Sequence, residues 1–500
     1  MIGTDPASGV VGRPDRFVTI ARAGALVAAP PPGAGAPSRR RTALDGLFAP
    51  VDAASLAVFR IAFGGLLLWE VWKFVANGWI ARYYVDPAFH FTYYGFEWVR
   101  PLHGQWMYVH FLVLGVLAAC IALGACYRLA AGLIFLGLSY VFLLEQARYL
   151  NHLYLVCLLG FLLTIVPAHR ALSFDGWLRP HPDAGIVPAW ALWLLRFQVA
   201  VPYVYGGIAK LNGDWLAGEP IRSWLAERSA QSMLGPALNQ EWVVYTICYG
   251  GLLFDLAIVP LLLWRRTRAF ALVAALAFHL TNAYLFTIGI FPWLMIAATL
   301  LFLPPDWPRR FGTVGSRTLT PQPPLPAAGE GERAGGQSLP RAQRGDGRAP
   351  RVILAMLAVY VMVQLLVPLR HLLYPGEVAW TEEGHRFSWR MRLREKEQTV
   401  ELLVTAPSTG LDRQLDPRQF VTAWQHEGME GRPDMLLQLA HHVAQRARQQ
   451  GHPDVEVRVR ALTSLNRRPA QDQIDPTVDL ATRPRSIWPA DWILPLQEPR

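Results

Sequence analysis

Lys210 closes the apolar run YVYGGIAK (203–210), and the chain turns polar directly after it at LNGDW (211–215). An amine placed there can do chemistry that arginine cannot, because a desolvated lysine can give up its proton and a guanidinium effectively never does. The choice stands out: of 47 basic residues, only Lys73, Lys210 and Lys396 are lysines. Two further apolar runs hold groups of complementary type. His152 follows Asn151 at the start of NHLYLVCLLGFLL (151–163), and His279 stands one helical turn before Asn282 in FHLTNAYLF (278–286). An amine and two imidazoles supply general acid–base chemistry, and two carboxamides can hold a substrate by hydrogen bonds.

Each of these residues also has a plainer reading. Lys210 can snorkel to an interface and anchor its helix. His152 and Asn151 can satisfy a helix start, and His279 with Asn282 can simply bond a neighbouring helix. No ligand pair has the spacing of a known metal motif, and Asp255 belongs to another helix, so no metal is expected. GGIAK lacks the lysine-serine or lysine-threonine ending of a phosphate loop, and no hydrolase elbow is present.

The elements that must position these groups are membrane helices. Hydrophobic residues make up 52% of the 500, charged residues 17%, and mean hydropathy is +0.22. A crossing takes about 20 mainly apolar residues. Candidate segments lie near 52–76, 105–124, 128–145, 150–168, 189–210, 242–264, 268–289, 291–304 and 352–373. The eighth is short, so eight or nine crossings are expected. The net charge of +10 comes from arginines scattered through short loops. That pattern serves a positive-inside topology, and nucleic acid is excluded as a partner. It places Asn151, His152, Lys210, His279 and Asn282 toward the outer leaflet, where an ionisable group costs roughly 2.5–3.5 kcal/mol and by default faces the bundle interior. Cys120, Cys126, Cys157 and Cys248 lie in or at the ends of apolar runs and read as buried thiols.

After VPLRHLLYPG (367–376) the pattern changes. FSWRMRLR (387–394), TVELLVT (399–405) and DVEVRVRALTSL (454–465) alternate as half-buried strands do, and 433–450 reads as an amphipathic helix. The fold class is therefore a polytopic α-helical membrane protein with a C-terminal extramembrane α+β, strand-rich domain. Its expected organisation is a disordered cytoplasmic tail over 1–45, a helical membrane domain over 46–310 and a flexible low-complexity insert over 311–350. A last membrane helix over 351–375 and an extramembrane β-rich domain over 376–500 follow. In a bacterium the chain would sit in the inner membrane with its C-terminal domain in the periplasm.

Seven stretches carry a family resemblance: 126–163, YGGIAKLNGDWLAG (205–218), GGLLFDL (250–256), FHLTNAYLFTIGIF (278–291), PPDWPRR (304–310), FSWRM (387–391) and SLNRRPAQDQIDPTVDL (464–480). In these the chain resembles the vitamin K-dependent gamma-glutamyl carboxylases, in their bacterial branch. The resemblance implies a membrane enzyme, both lyase and oxidoreductase. It oxygenates reduced vitamin K, or menaquinol, to the epoxide with O2, and couples this to CO2 addition at the γ-carbon of a glutamyl peptide or protein. Carried over by motif, Lys210 is the base that deprotonates the quinol, His152 with Asn151 stabilises intermediates, and His279 is a further active-site histidine. Tyr203, Tyr205 and Asn282 are expected at the quinone, with Tyr203 and Tyr205 helping to keep Lys210 dry. Trp389 and Arg390 are candidates for substrate contacts, although a strand-core place also suits Trp389. Ala209 stands where the animal enzymes have a second lysine. Two alternatives stay open: a quinol epoxidase without carboxylation, and a transporter whose buried Lys and His relay ions.

Overall fold

The computed structural model describes residues 46–179, 183–229, 235–286, 288–311 and 348–497. The expected tail at 1–45 lies outside the described residues, as does the expected insert at 311–350 apart from Phe311 and the residues from Arg348 on.

The chain is mostly helical. In order, its main apolar helices are α1 (Ala54–Ala76), α2 (Gln105–Leu123), α3 (Tyr127–Leu144), α4 (Asn151–Ile165), α5 (Ala189–Ala209), α6 (Glu241–Leu263), α7 (Arg268–Leu285), α8 (Phe291–Thr299) and α9 (Arg348–Leu366). Among the described residues six helices are long and apolar enough to cross a membrane: α1, α2, α3, α6, α7 and Pro350–Leu373, which continues α9. The expectation of eight or nine counted three more helices, which differ from these six in length or polarity. α4 has 15 residues, roughly 22 Å of helix against about 30 Å of hydrocarbon. α8 with its following turn, Phe291–Phe302, is also short. α5 is long enough, but it carries Arg196 and Gln198 and most of its residues are buried by neighbouring elements. Arg196 donates to the Leu301 and Leu303 carbonyls, and Gln198 accepts from the Tyr360 hydroxyl at 2.6 Å. α5 is thus the inner helix around which the others stand.

At the end of the bundle away from Asn151, Arg60 is fully buried and donates to the carbonyls of Ile121, Ala122, Ala168 and Leu172. Helix ends leave carbonyls without intrahelical partners, and one guanidinium collects several of them where water is scarce. Of the expected buried thiols, only Cys248 is buried; Cys126 is exposed and Cys120 and Cys157 are intermediate. A cysteine near a helix end, or on a lipid-facing stripe, is apolar in sequence without being covered by protein.

The C-terminal region contains a four-stranded antiparallel sheet. Its strands are β1 (Lys396–Ala406), β2 (Leu411–Leu415), β3 (Glu456–Leu465) and β4 (Gln471–Asp472), in the order β2-β1-β3-β4. β1 pairs with β3 from Lys396↔Leu465 to Thr405↔Glu456. The buried residues Val400, Leu402 and Val404 alternate with less buried ones, as a half-covered sheet requires. Helix α10 (Pro433–Gln449) covers that face with Met435, Leu436, Leu439, Ala440 and Val443.

One expected strand is not a strand. FSWRMRLR is irregular, with Phe387, Trp389 and Arg392 at positive φ. Its alternation has another cause. Trp389 and Leu393 turn into protein core, while Arg390, Arg392 and Arg394 turn to a cavity under the sheet. A coiled segment satisfies that division as well as a pleat would.

This segment is pinned by a buried charge cluster. Glu382 accepts from Arg394 Nε and Nη2 and from Lys396 Nζ at 2.9 Å, and His385 Nδ1 lies 3.2 Å away. Lys396 also donates to the Trp380 and Gly431 carbonyls at 2.7 and 2.9 Å, so the role of this lysine is structural. Burial alone would raise the Glu382 carboxyl, but Arg394, Lys396, His385 and Arg432 hold it well below the usual carboxylate range. Burial pushes Lys396 down to about 8 against the pull of Glu382. Removing one partner of such a set leaves the others charged and dry. Glu382→Gln should therefore cost about 3–5 kcal/mol of stability, read as a lower denaturation midpoint in detergent; a change under about 1 kcal/mol would contradict the assignment.

Candidate active site

The residue after α5 is Lys210, whose side chain is buried beneath the sheet-bearing region. Its Nζ lies 2.5 Å from Asp255 Oδ2 on α6 and 5.2 Å over the Trp215 ring. The approach depends on two glycines. A Cβ at Gly207 would meet Leu256 Cδ2 at 2.7 Å, and one at Gly206 would meet Asp255 Oδ2 at 3.3 Å. The pair lets α5 and α6 close until the amine reaches the carboxylate. Pro202, one turn earlier in α5, has no N–H to give and faces the same cavity.

The loop after Lys210 is held from both sides. Asn212 caps the short helix Gly213–Leu216, accepting from Trp215 N at 3.0 Å, and Trp215 Nε1 donates to the Cys248 carbonyl on α6 at 2.9 Å. Asp214 accepts from Asn466 at 2.6 Å and from both arms of Arg468 at 2.6 and 2.8 Å. The sheet region therefore grips the chain that carries the lysine.

His279 on α7 is 1% exposed, and its Nε2 is 2.6 Å from the Tyr203 hydroxyl on α5. Its Nδ1 has no hydrogen-bond partner among the described residues. Asn151 accepts from the Tyr149 hydroxyl at 2.9 Å, and that hydroxyl accepts from Phe387 N at 2.6 Å. This chain of bonds ties the start of α4 to the FSWRM segment. The rings of His152 and His279 lie 6.1 and 6.2 Å from Phe291, on α8.

These groups face one cavity of about 470 Å³, the size of a small-molecule site. Lys210, Asn151, His152, His279, Asn282, Tyr203 and Arg390 all line it. Two expected residues do not. The Tyr205 hydroxyl donates to the Leu365 carbonyl on α9 at 2.5 Å, since its position on α5 turns it from the lysine. Trp389 is fully buried against Tyr154 at 5.2 Å, and its Nε1 has no partner among the described residues. Aromatic walls come from Phe74, Trp79, Phe278, Phe286 and Phe291.

Sequence reasoning missed several lining residues. Asp255 was set aside as lying on another helix, yet it is the partner of Lys210. Glu70, Lys73 and Arg148 line the cavity beyond His152, and Arg392, Arg394 and Arg432 line its sheet side. Burial works against charge on Arg390, Arg392 and Arg432 and pushes the last down to about 10. Two lining carboxylates, Glu70 and Asp255, thus face a larger set of cations. Among the described residues no group of His, Cys, Asp and Glu is arranged to hold a metal ion. A second cavity, of about 440 Å³, opens in the sheet region around Arg386, Asp434 and Arg485 and contains none of the expected site residues.

An amine beside a carboxylate, next to a Tyr–His pair and two carboxamides in an apolar pocket, is equipped to move a proton from a weakly acidic ligand. Residues 48–307, more than half of the chain, match the HTTM domain model, and residues 349–499 match the model of the vitamin K-dependent gamma-carboxylase lumenal domain. No solved structure matches the chain. An HTTM domain joined to that lumenal domain defines a class of integral membrane, carboxylase-like enzymes. The chain belongs to the vitamin K-dependent gamma-carboxylase family. The family depends in general on vitamin K hydroquinone, O2 and CO2 and acts on glutamyl-containing substrates.

Tyr203→Phe removes the hydrogen bond that holds the buried His279 imidazole among the described residues. An unsatisfied polar group of this kind costs about 1–3 kcal/mol, to be measured by denaturation in detergent, and an unchanged midpoint would show that His279 has another partner.

Proposed function

We propose that the chain is a quinol-dependent glutamyl carboxylase in which Lys210 removes a proton from a hydroxyl of reduced vitamin K or menaquinol. The observation that carries this reading is the Lys210–Asp255 pair at 2.5 Å inside an aromatic cavity. A hydroquinone hydroxyl is a weak acid, so its base must be an amine free to accept at contact. Lys210 meets that need by passing its own proton to the Asp255 carboxylate across the 2.5 Å contact as it takes the quinol proton, so the proton has somewhere to rest without reorganisation. His279, oriented by Tyr203, can hydrogen-bond a ligand oxygen through its free nitrogen, and Asn151 with His152 face the same space.

The aromatic walls suit a flat ring, and an isoprenoid tail can pass between helices into lipid. Reacting with O2 to give the epoxide, the bound quinol supplies the base strength needed to remove a γ-proton from a glutamyl residue, which then takes up CO2. Arg390, Arg392 and Arg432 give the sheet side of the cavity the charge to receive an acidic acceptor from the aqueous face. The sheet region is read as periplasmic, in a bacterial inner membrane.

The test supplies purified protein with reduced vitamin K or menaquinol, O2, bicarbonate and a glutamyl peptide. Carboxylated peptide and epoxide are the expected products. Epoxide alone would select quinol oxygenation without carboxylation, and no quinol consumption would leave the relay reading. Lys210→Ala and Lys210→Arg should each lower the quinol-dependent rate by about 10²–10⁴-fold, the usual worth of a general base, because the guanidinium keeps its proton. Full activity in Lys210→Arg would reduce the lysine to an anchor. For orientation, a reporter joined after residue 500 should be active outside the cytoplasm; activity inside would invert the crossing parity.

A further inference from the structure

Charged groups line the cavity in three places: Lys210 meets Asp255, arginines line the sheet side, and Arg148, Lys73 and Glu70 gather near His152. Lys73 Nζ is 2.7 Å from Glu70 Oε2, an ion pair without hydrogen-bond alignment, and it sits 4.4 Å over the Trp69 ring. Among the described residues Arg148 has no such partner. Its guanidinium lies 3.5 Å over the Tyr83 ring beside the Tyr84 hydroxyl, and its Nε has no hydrogen-bond partner among the described residues. The nearest candidate carboxylate along the chain, Glu145, is already committed to His90, the Phe91 N–H and Gln425. Both Arg148 and Lys73 lie close enough to His152 to act on it electrostatically.

Arg148 is half-buried, and a partly desolvated guanidinium with an unpaired Nε and no carboxylate at contact among the described residues is stabilised when a ligand completes it. A quinol is neutral and its proposed proton-transfer partner is Lys210, so it does not answer this charge. A carboxylate does, because guanidinium donors match its two oxygens. We propose that Arg148, assisted by Lys73, forms the subsite that binds the side-chain carboxylate of the acceptor on the His152 side of the cavity. The inference rests on the glutamyl carboxylase reading above. It explains why two cations share one place: the carboxylated product bears two carboxylates on one carbon, and Lys73 adds a second contact where Glu70 leaves ammonium donors unaligned. Arg148 and Lys73 are here binding residues for the acceptor.

The experiment measures equilibrium binding of a short glutamyl peptide and of its glutaminyl counterpart to the full chain in detergent, without quinol, so no turnover is needed. Wild type should prefer the glutamyl peptide. Arg148→Gln should reduce that preference by about tenfold or more, equivalent to about 1.4 kcal/mol. Arg148→Lys should restore part of it, and Lys73→Met should reduce it by a smaller factor. A wild type that binds both peptides equally, or an Arg148→Gln that keeps the wild-type preference, overturns the proposal. Should Arg148→Gln fail to fold, Lys73→Met carries the same comparison, and an unchanged preference there overturns it too. Quinol consumption by wild type is measured apart. Its absence would remove the enzymatic reading while the peptide preference still reports on the subsite.

Discussion

An ammonium and a carboxylate buried together at the end of α5 constrain much of this molecule. Neither charge is tolerable alone in a helical bundle meant for lipid, and together they are acceptable only at contact distance. Contact in turn demands that the side chains of α6 reach the backbone of α5, which Gly206 and Gly207 permit and a Cβ at Gly207 would obstruct. It demands that the chain leaving α5 turn at once, which the Asn212 cap, the Trp215 bond to α6 and the grip of Arg468 on Asp214 enforce. Local sequence, helix packing and the attachment of the sheet region therefore converge on the position of one nitrogen.

The sheet region does more than cover the bundle. Its least regular part, Phe387 to Arg394, supplies arginines to the cavity and ties Tyr149 and Asn151 in place through Phe387. Residues at positive φ are strained, and they persist when their surroundings fix them. Here the fixing group is Glu382, whose carboxylate gathers Arg394, Lys396 and His385 in a site closed to water. A regular strand would have sent every second side chain into the core and the rest to one flat face. The coil instead points guanidiniums down into the membrane domain while keeping Trp389 buried.

How much of this was legible follows from the range of each signal. Apolar runs mark helices, so α1 to α9 were readable, but their lengths and surroundings were not: α4 and α8 are shorter than a full span, and α5 is covered by protein rather than lipid. Polar residues inside apolar runs mark a site, so Lys210, His152, His279 and Asn282 could be singled out, and they do face one cavity. Their partners could not. Asp255 lies 45 positions from Lys210, and nothing local says that two glycines will bring them together. FSWRMRLR misled because alternation reports which side chains are buried, whatever backbone achieves it. Arg148 looked like one more loop arginine, since only the fold shows that it forms no ion pair with a carboxylate among the described residues.

The three lysines make the last point by contrast. Each sits by a carboxylate: Lys73 by Glu70, Lys210 by Asp255, Lys396 by Glu382. Lys396 spends its donors on Glu382 and two backbone carbonyls, a compact arrangement that a planar guanidinium would not fit, so its chemistry is spent in structure. Lys73 leans on an aromatic face near the cavity and needs only its charge. Lys210 differs in having, besides Asp255, only a weak 3.5 Å contact to the Gly206 carbonyl and an indole ring, with an open cavity beside them. Lys73 lines the same cavity, but its contact with Glu70 is not an aligned hydrogen bond; Lys210 is the lysine of the three that combines an aligned bond to its carboxylate with a space a ligand can enter. An amine in that setting can exchange its proton with the ligand and return it to the carboxylate, whereas arginine in the same place could only hold its charge.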